Sequence, residues 1–102
     1  MKMFFDNSNI QNIIITSNVT SDILTLNKNK CPDTFEDFIQ HILTWISLNI
    51  NQPIIKENIR IIDVNTSLCI NNLNDLLIAT QKMTKLNTYN YYLKIVIVPI
   101  AK

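Results

Sequence analysis

The sequence predicts an α+β fold in which one long helix covers a mixed sheet of four or five strands. Two observations carry this prediction: an amphipathic helical stripe in the first half of the chain, and a nearly continuous apolar run over residues 91–98. A length of 102 residues leaves room for one hydrophobic core. Residues 1–102 are therefore predicted to form a single domain.

The first two strands are predicted as a hairpin. Residues 13–16 and 23–26 are short β-branched or apolar runs, and the turn formers of residues 18–22 separate them. Residues 3–5, Met-Phe-Phe, are predicted to extend the sheet as an edge or to pack beneath it. The chain has no glycine, so turns that need a positive φ are expected to use Asn or Asp.

The long helix is predicted over residues 33–49. Its start has two candidate capping patterns, Asp33 with Glu36 and Thr34 with Asp37. The asparagine-rich stretch that begins at residue 49 should end it. The apolar positions repeat at helical spacing and predict one buried face: Phe35, Phe38, Ile39, Ile42, Trp45 and Ile46.

The second half of the chain is predicted to complete the sheet. Residues 59–64 have the composition of a strand, and residues 68–70 that of a short returning strand. A second helix is predicted over residues 72–83, capped by Asn71 or Asn72. The run over residues 91–98 is typical of a central strand that is buried on both faces.

This order of elements resembles the ubiquitin-like β-grasp architecture, in which the last strand lies in mid-sheet beside the first. Residues 59–98 resemble the PB1 interaction domain in more detail. The segment 61–65 stands where that family has an apolar strand entering an acidic turn, although Asn65 and Ser67 replace further acids. Asp75-Leu76, with Ala79, matches the Asp-Leu-x-x-Ala helix of the family.

The resemblance implies a function in binding another protein. Asp63 and Asp75, or Lys28 and Lys30, would orient the partner. We therefore expect a non-catalytic protein-protein interaction module or adaptor, with self-association as one form of it.

No catalytic or metal-binding set can be assembled from the sequence, so we expect neither an enzyme nor a cofactor. His41 is the only histidine, and about 15 Å of helix would separate it from Cys31, ten residues earlier. Two cysteines and one histidine do not supply a zinc site. Without glycine there is no phosphate-binding loop. A net charge of +1 gives no footprint for nucleic acid.

The alternative interpretation is a ferredoxin-like domain that binds nucleic acid or a small ligand. It predicts an antiparallel four-stranded sheet with both helices on one face, and with Tyr91 or Tyr92 exposed.

A soluble, cytoplasmic location is expected, with no membrane partner. The sequence has no run of 18 apolar residues, and its amino end lacks the pattern of a signal peptide. Cys31 and Cys69 allow one disulfide at most, and small secreted domains that depend on disulfides usually have several. Both thiols are therefore expected to be free.

Overall fold

The computed structural model describes residues 10–32 and 34–100. The prediction for residues 3–5 lies outside the described residues. A single 3-10 turn, Lys56–Asn58, precedes the third strand. The strands and helices are β1 (Asn12–Thr16), β2 (Leu24–Asn27), α1 (Phe35–Ile50), β3 (Ile59–Asp63), α2 (Leu73–Gln81), β4 (Thr84–Lys85) and β5 (Asn90–Pro99).

The strands form one mixed sheet in the order β2-β1-β5-β3, with β4 also paired to β5. The β1 and β5 strands are parallel, and the other pairs are antiparallel. This confirms the predicted α+β fold, including the central last strand beside the first. The parallel pair is incompatible with the all-antiparallel sheet of the ferredoxin-like alternative, so that topology was wrong.

The start and end of α1 follow from local hydrogen bonds. The Thr34 hydroxyl accepts from the Asp37 backbone N–H at 3.1 Å, which confirms one of the two predicted capping patterns. Asp33, which belongs to the other pattern, lies outside the described residues. At the carboxyl end Asn51 has a φ of 58°, and its N–H bonds to the Ser47 carbonyl.

The core lies between α1 and one face of the sheet. Phe38 and Ile42 of α1 are fully buried, as are Ile13 of β1 and Leu93 of β5. Burying each such side chain stabilises the fold by about 1.5–3 kcal/mol. The other fully buried apolar side chains of the described residues are Ile15, Ile46, Ile95 and Leu76, of which Leu76 comes from α2.

Burial alternates along β5. Leu93, Ile95 and Ile97 are buried in the core, whereas Lys94 is exposed and Val96 is half-buried. The prediction that this strand is buried on both faces was therefore wrong. Its side chains are mostly apolar on both faces of the strand, but α1 covers only one of these faces.

The segment between β3 and β5 differs from the prediction. Residues 68–70 form only a single bridge, between Ile62 and Cys69, rather than a strand. The short β4 strand was not predicted. The α2 helix is shorter than predicted, and the Asn72 side chain caps it by accepting from the Asp75 N–H at 2.9 Å.

Candidate functional site

Asp63, a predicted partner-binding residue, is fully buried at the end of β3. Its carboxylate accepts hydrogen bonds from the Asn65 N–H at 3.3 Å and the Thr66 N–H at 3.2 Å. The Thr66 hydroxyl donates a third, at 2.7 Å. The carboxylate therefore holds the turn after β3 and is not presented at the surface.

Asp75, the second predicted acid, is half-buried in the first turn of α2. Its carboxylate accepts from the Asn71 N–H at 3.1 Å. A carboxylate at this position is stabilised by the partial positive charge of the helix amino end. Asp75 therefore also has a local structural role.

Lys28 and Lys30 follow β2, which is the edge of the sheet opposite to β3. Lys30 is exposed, whereas Lys28 is half-buried. The structure therefore does not bring these lysines together with Asp63.

Among the described residues, neither helix contributes a core side chain to the face of the sheet opposite α1. We call this face the open face. The side chains at alternate strand positions point to it, because successive side chains of a strand point to opposite faces. Its strand residues are Asn12, Ile14, Thr16, Thr25, Asn27, Arg60, Ile62, Thr84, Asn90, Tyr92, Lys94, Val96 and Val98.

One half of the open face is polar and internally hydrogen-bonded. The Asn27 side chain donates to that of Asn12, which donates to that of Asn90, both at 2.9 Å. The Thr16 and Tyr92 hydroxyls lie 2.6 Å apart. These groups satisfy one another, so they have less remaining capacity to bind a partner.

The other half is apolar and basic, and we call it the open-face patch: Arg60, Ile62, Lys94, Val96 and Val98. Ile62 lies opposite Val96 in the β3–β5 register, and Arg60 lies opposite Val98. The three apolar side chains are half-buried and do not belong to the core cluster. Arg60 and Lys94 are exposed.

The charged strand residues on the open face are both positive. Among the described residues, no aspartate or glutamate occupies a strand position on it, whereas Arg60 and Lys94 both do. Within the same residues, neither cationic side chain has an ion pair or a hydrogen bond. The patch therefore combines an apolar centre with two cations that have no counter-charge.

Sequence reasoning missed this patch, although a signal for it was present. Arg60 and Ile62 alternate with the buried Ile61 and Asp63 in β3. Lys94 is the one charged residue in the run 91–98. Every second residue from Lys94, in either direction along β5, lies on the same face of the strand as Lys94, opposite α1.

The candidates for catalysis have local partners. The His41 ring nitrogen Nδ1 lies 2.7 Å from the Asp37 carbonyl on the exposed side of α1. The Cys31 thiol donates to the Lys28 carbonyl at 3.8 Å. Residues 10–32 and 34–100 contain no group of three or more His, Cys, Asp and Glu side chains placed to hold a metal ion.

In the described part of the chain, no helix has the length and apolar character needed to cross a membrane. Comparison with protein-family models, with curated proteins and with solved structures gives no match to this chain.

Proposed function

We propose that this chain is a non-catalytic protein-protein interaction module or adaptor of the ubiquitin-like, PB1-like type, which binds its partner through the open-face patch. One observation carries the proposal. Within residues 10–32 and 34–100, the helices pack on one side of the sheet only, and the other side carries half-buried β-branched residues between two exposed cations.

The apolar part of the patch favours a protein partner. Ile62 and Val96 are neighbours on adjacent strands, and Val98 lies two residues further along β5. Contiguous apolar surface rimmed by polar groups is typical of protein interaction sites. Burying these side chains against a partner would release water from a surface that the fold leaves uncovered.

The charge of the patch defines the partner's chemistry. Arg60 and Lys94 flank the apolar residues, and no acid of the described strands lies beside them on the face. A partner that presents carboxylates around an apolar centre would complement the patch and be attracted to it during encounter. Two cations on a chain of net charge +1 are too few for tight binding along a nucleic-acid backbone.

This proposal moves the binding site away from the acids of the PB1 resemblance. Asp63 and Asp75 stabilise a turn and a helix start, so the partner would meet Arg60 and Lys94 instead. We place the protein in the reducing cytoplasm, in keeping with the free thiols of Cys31 and Cys69.

Affinity capture with matched variants tests the proposal. Wild-type protein and the Arg60→Glu/Lys94→Glu double variant are immobilised, and the proteins they retain are identified by mass spectrometry. The control, Lys82→Glu/Lys85→Glu, makes the same charge change at two exposed lysines outside the open face. We expect a partner that wild type and control retain and that the patch variant loses.

The captured partner is then titrated into labelled protein and followed by NMR. Backbone shifts should concentrate in β3 and β5. A partner retained equally by the patch variant, or shifts confined to another surface, would show that the open-face patch is not the binding site. Recovery of no specific protein by the wild type would remove the proposed function itself.

A further inference from the structure

The β2 strand is an outer edge of the sheet with backbone groups that point away from it. The Lys28 N–H bonds to the Gln11 carbonyl at 2.9 Å, in register with the β1–β2 ladder. Residues of an antiparallel pair alternate between hydrogen-bonded and non-hydrogen-bonded positions. The backbone N–H and carbonyl groups of Leu26 and Leu24 therefore also point toward β1. The N–H and carbonyl of Thr25 therefore point outward, where another strand can pair with them.

A groove of about 400 Å³ lies beside this edge, between β2 and α1. Leu48 on its rim is 77% exposed, more than any other large apolar side chain in the described residues. The lining residues include no Asp, Glu, Lys or Arg: Leu24, Gln40, His41, Thr44, Trp45 and Leu48.

We propose that a second copy of this chain pairs with β2, strand to antiparallel strand, about a two-fold axis at Thr25. In this register Thr25 of one copy faces Thr25 of the other. Leu24 of each copy then faces Leu26 of the other copy, so the same leucine pair forms twice. The segment Leu24-Thr25-Leu26 is symmetric about its centre, as a two-fold interface requires.

Charge complementarity supports this occupant. In the same register Asp22 of each copy faces Lys28 of the other, so two pairs of opposite charge flank the seam. The lining of the groove between them has no Asp, Glu, Lys or Arg, so these residue types add no like-charge repulsion between two copies. The open-face patch behaves differently, since its cations would repel each other if it paired with itself.

The pairing would have two structural consequences. The two sheets would join into one, with both α1 helices on the same face of the joined sheet. Leu48 and the apolar groove of each copy would then face the second copy instead of water. The open-face patch lies on the opposite side of the sheet and would stay uncovered, so dimer formation is separate from the proposed binding function.

Sedimentation of the Thr25→Pro variant tests the pairing. Proline removes the outward N–H, and the β1–β2 ladder does not use that group, so the domain should still fold. Thr25→Val keeps the N–H and is the matched control. We expect wild type and Thr25→Val to be dimers at concentrations where Thr25→Pro is a monomer, with circular dichroism verifying that all three are folded.

Charge reversal supplies a second test that keeps the strand intact. Asp22→Lys places like charges at both ends of the seam and should raise the dimer dissociation constant about tenfold. Lys28→Asp should act in the same direction, and the double variant Asp22→Lys/Lys28→Asp should recover most of the loss.

Three results would overturn the proposal: a wild-type protein that is monomeric throughout, a Thr25→Pro variant that still dimerises, or a double variant no tighter than the single variants. If β2 instead pairs with a strand of a different protein, the wild-type protein alone would be monomeric, which is the first of these results. Partner capture by the open-face patch is measured separately, so failure of either proposal leaves the other open to its own test.

Discussion

The side-chain amide of Asn18 bonds to both backbone groups of Ile97: its Oδ1 accepts from the Ile97 N–H at 2.7 Å and its Nδ2 donates to the Ile97 carbonyl at 3.1 Å. Asn18 lies two residues beyond the end of β1. Its side chain therefore takes the place of a peptide group and continues the parallel β1–β5 pairing past the end of the strand.

Removing this amide should destabilise the sheet where its backbone ladder ends. We expect Asn18→Ala to lower the free energy of unfolding by about 1–2 kcal/mol, because both groups of Ile97 lose their partner. Asn29→Ala is the control, since this exposed asparagine has no side-chain hydrogen bond among the described residues. Urea unfolding followed by Trp45 fluorescence measures both, and equal losses would contradict the role given to Asn18.

The buried carboxylate of Asp63 should be coupled energetically to the hydroxyl of Thr66, which it accepts from at 2.7 Å. We expect Asp63→Ala to cost about 2–4 kcal/mol and Thr66→Val about 1–2 kcal/mol. In the Asp63→Ala background, Thr66→Val should cost much less, because the bond is already lost. Additive losses in this double-mutant cycle would show that the two groups act independently.

The same variants separate a structural role of Asp63 from a binding role. A residue that only contacts a partner could be changed without loss of stability. Since Asp63 is fully buried, we expect Asp63→Asn to lower the unfolding free energy even with no partner present. Unchanged stability together with lost capture of the partner would restore Asp63 as a binding residue.

The elements that the sequence predicted well are those set by local pattern. The α1 stripe and the Thr34 cap need only residues a few positions apart, and the apolar length of β5 is enough to place it in mid-sheet. The structural role of Asp63 could not be predicted from local sequence pattern. An acid after a strand has the same sequence signature whether its carboxylate faces a partner or its own turn.

The open-face patch was missed for a related reason. An apolar run such as β5 predicts burial, but it does not say how many faces of the sheet are covered. That depends on where α1 and α2 pack, which is decided by the whole fold. Val96 and Val98 are as apolar as buried residues, yet neither helix of the described residues packs over them.

The absence of glycine leads to a prediction about the two positive-φ residues among residues 10–32 and 34–100. Asn51 has a φ of 58° and Ser67 a φ of 60°. Asparagine tolerates this region better than serine does, so Ser67 is the more strained of the two. We expect Ser67→Gly to raise the unfolding free energy by about 0.5–1 kcal/mol and Asn51→Gly to change it less.

Thermal unfolding of both glycine variants measures the difference. Ser67→Ala is the control, because it removes the hydroxyl and keeps the Cβ that crowds the left-handed region. Ser67→Ala should therefore not stabilise the protein. If Ser67→Gly and Ser67→Ala had the same stability, strain at this residue would not be the cause.

The two proposed surfaces should be separable in one protein. The open-face patch and the β2 edge lie on different parts of the sheet, so a variant of one should leave the other intact. We expect Arg60→Glu/Lys94→Glu to remain a dimer while it loses the partner. Thr25→Pro should keep the partner and bind it as a monomer. Light scattering of each variant, alone and mixed with the captured partner, gives both masses. A patch variant that became monomeric would link the surfaces, because β1 lies between the β2 edge and the strands that carry Arg60 and Lys94.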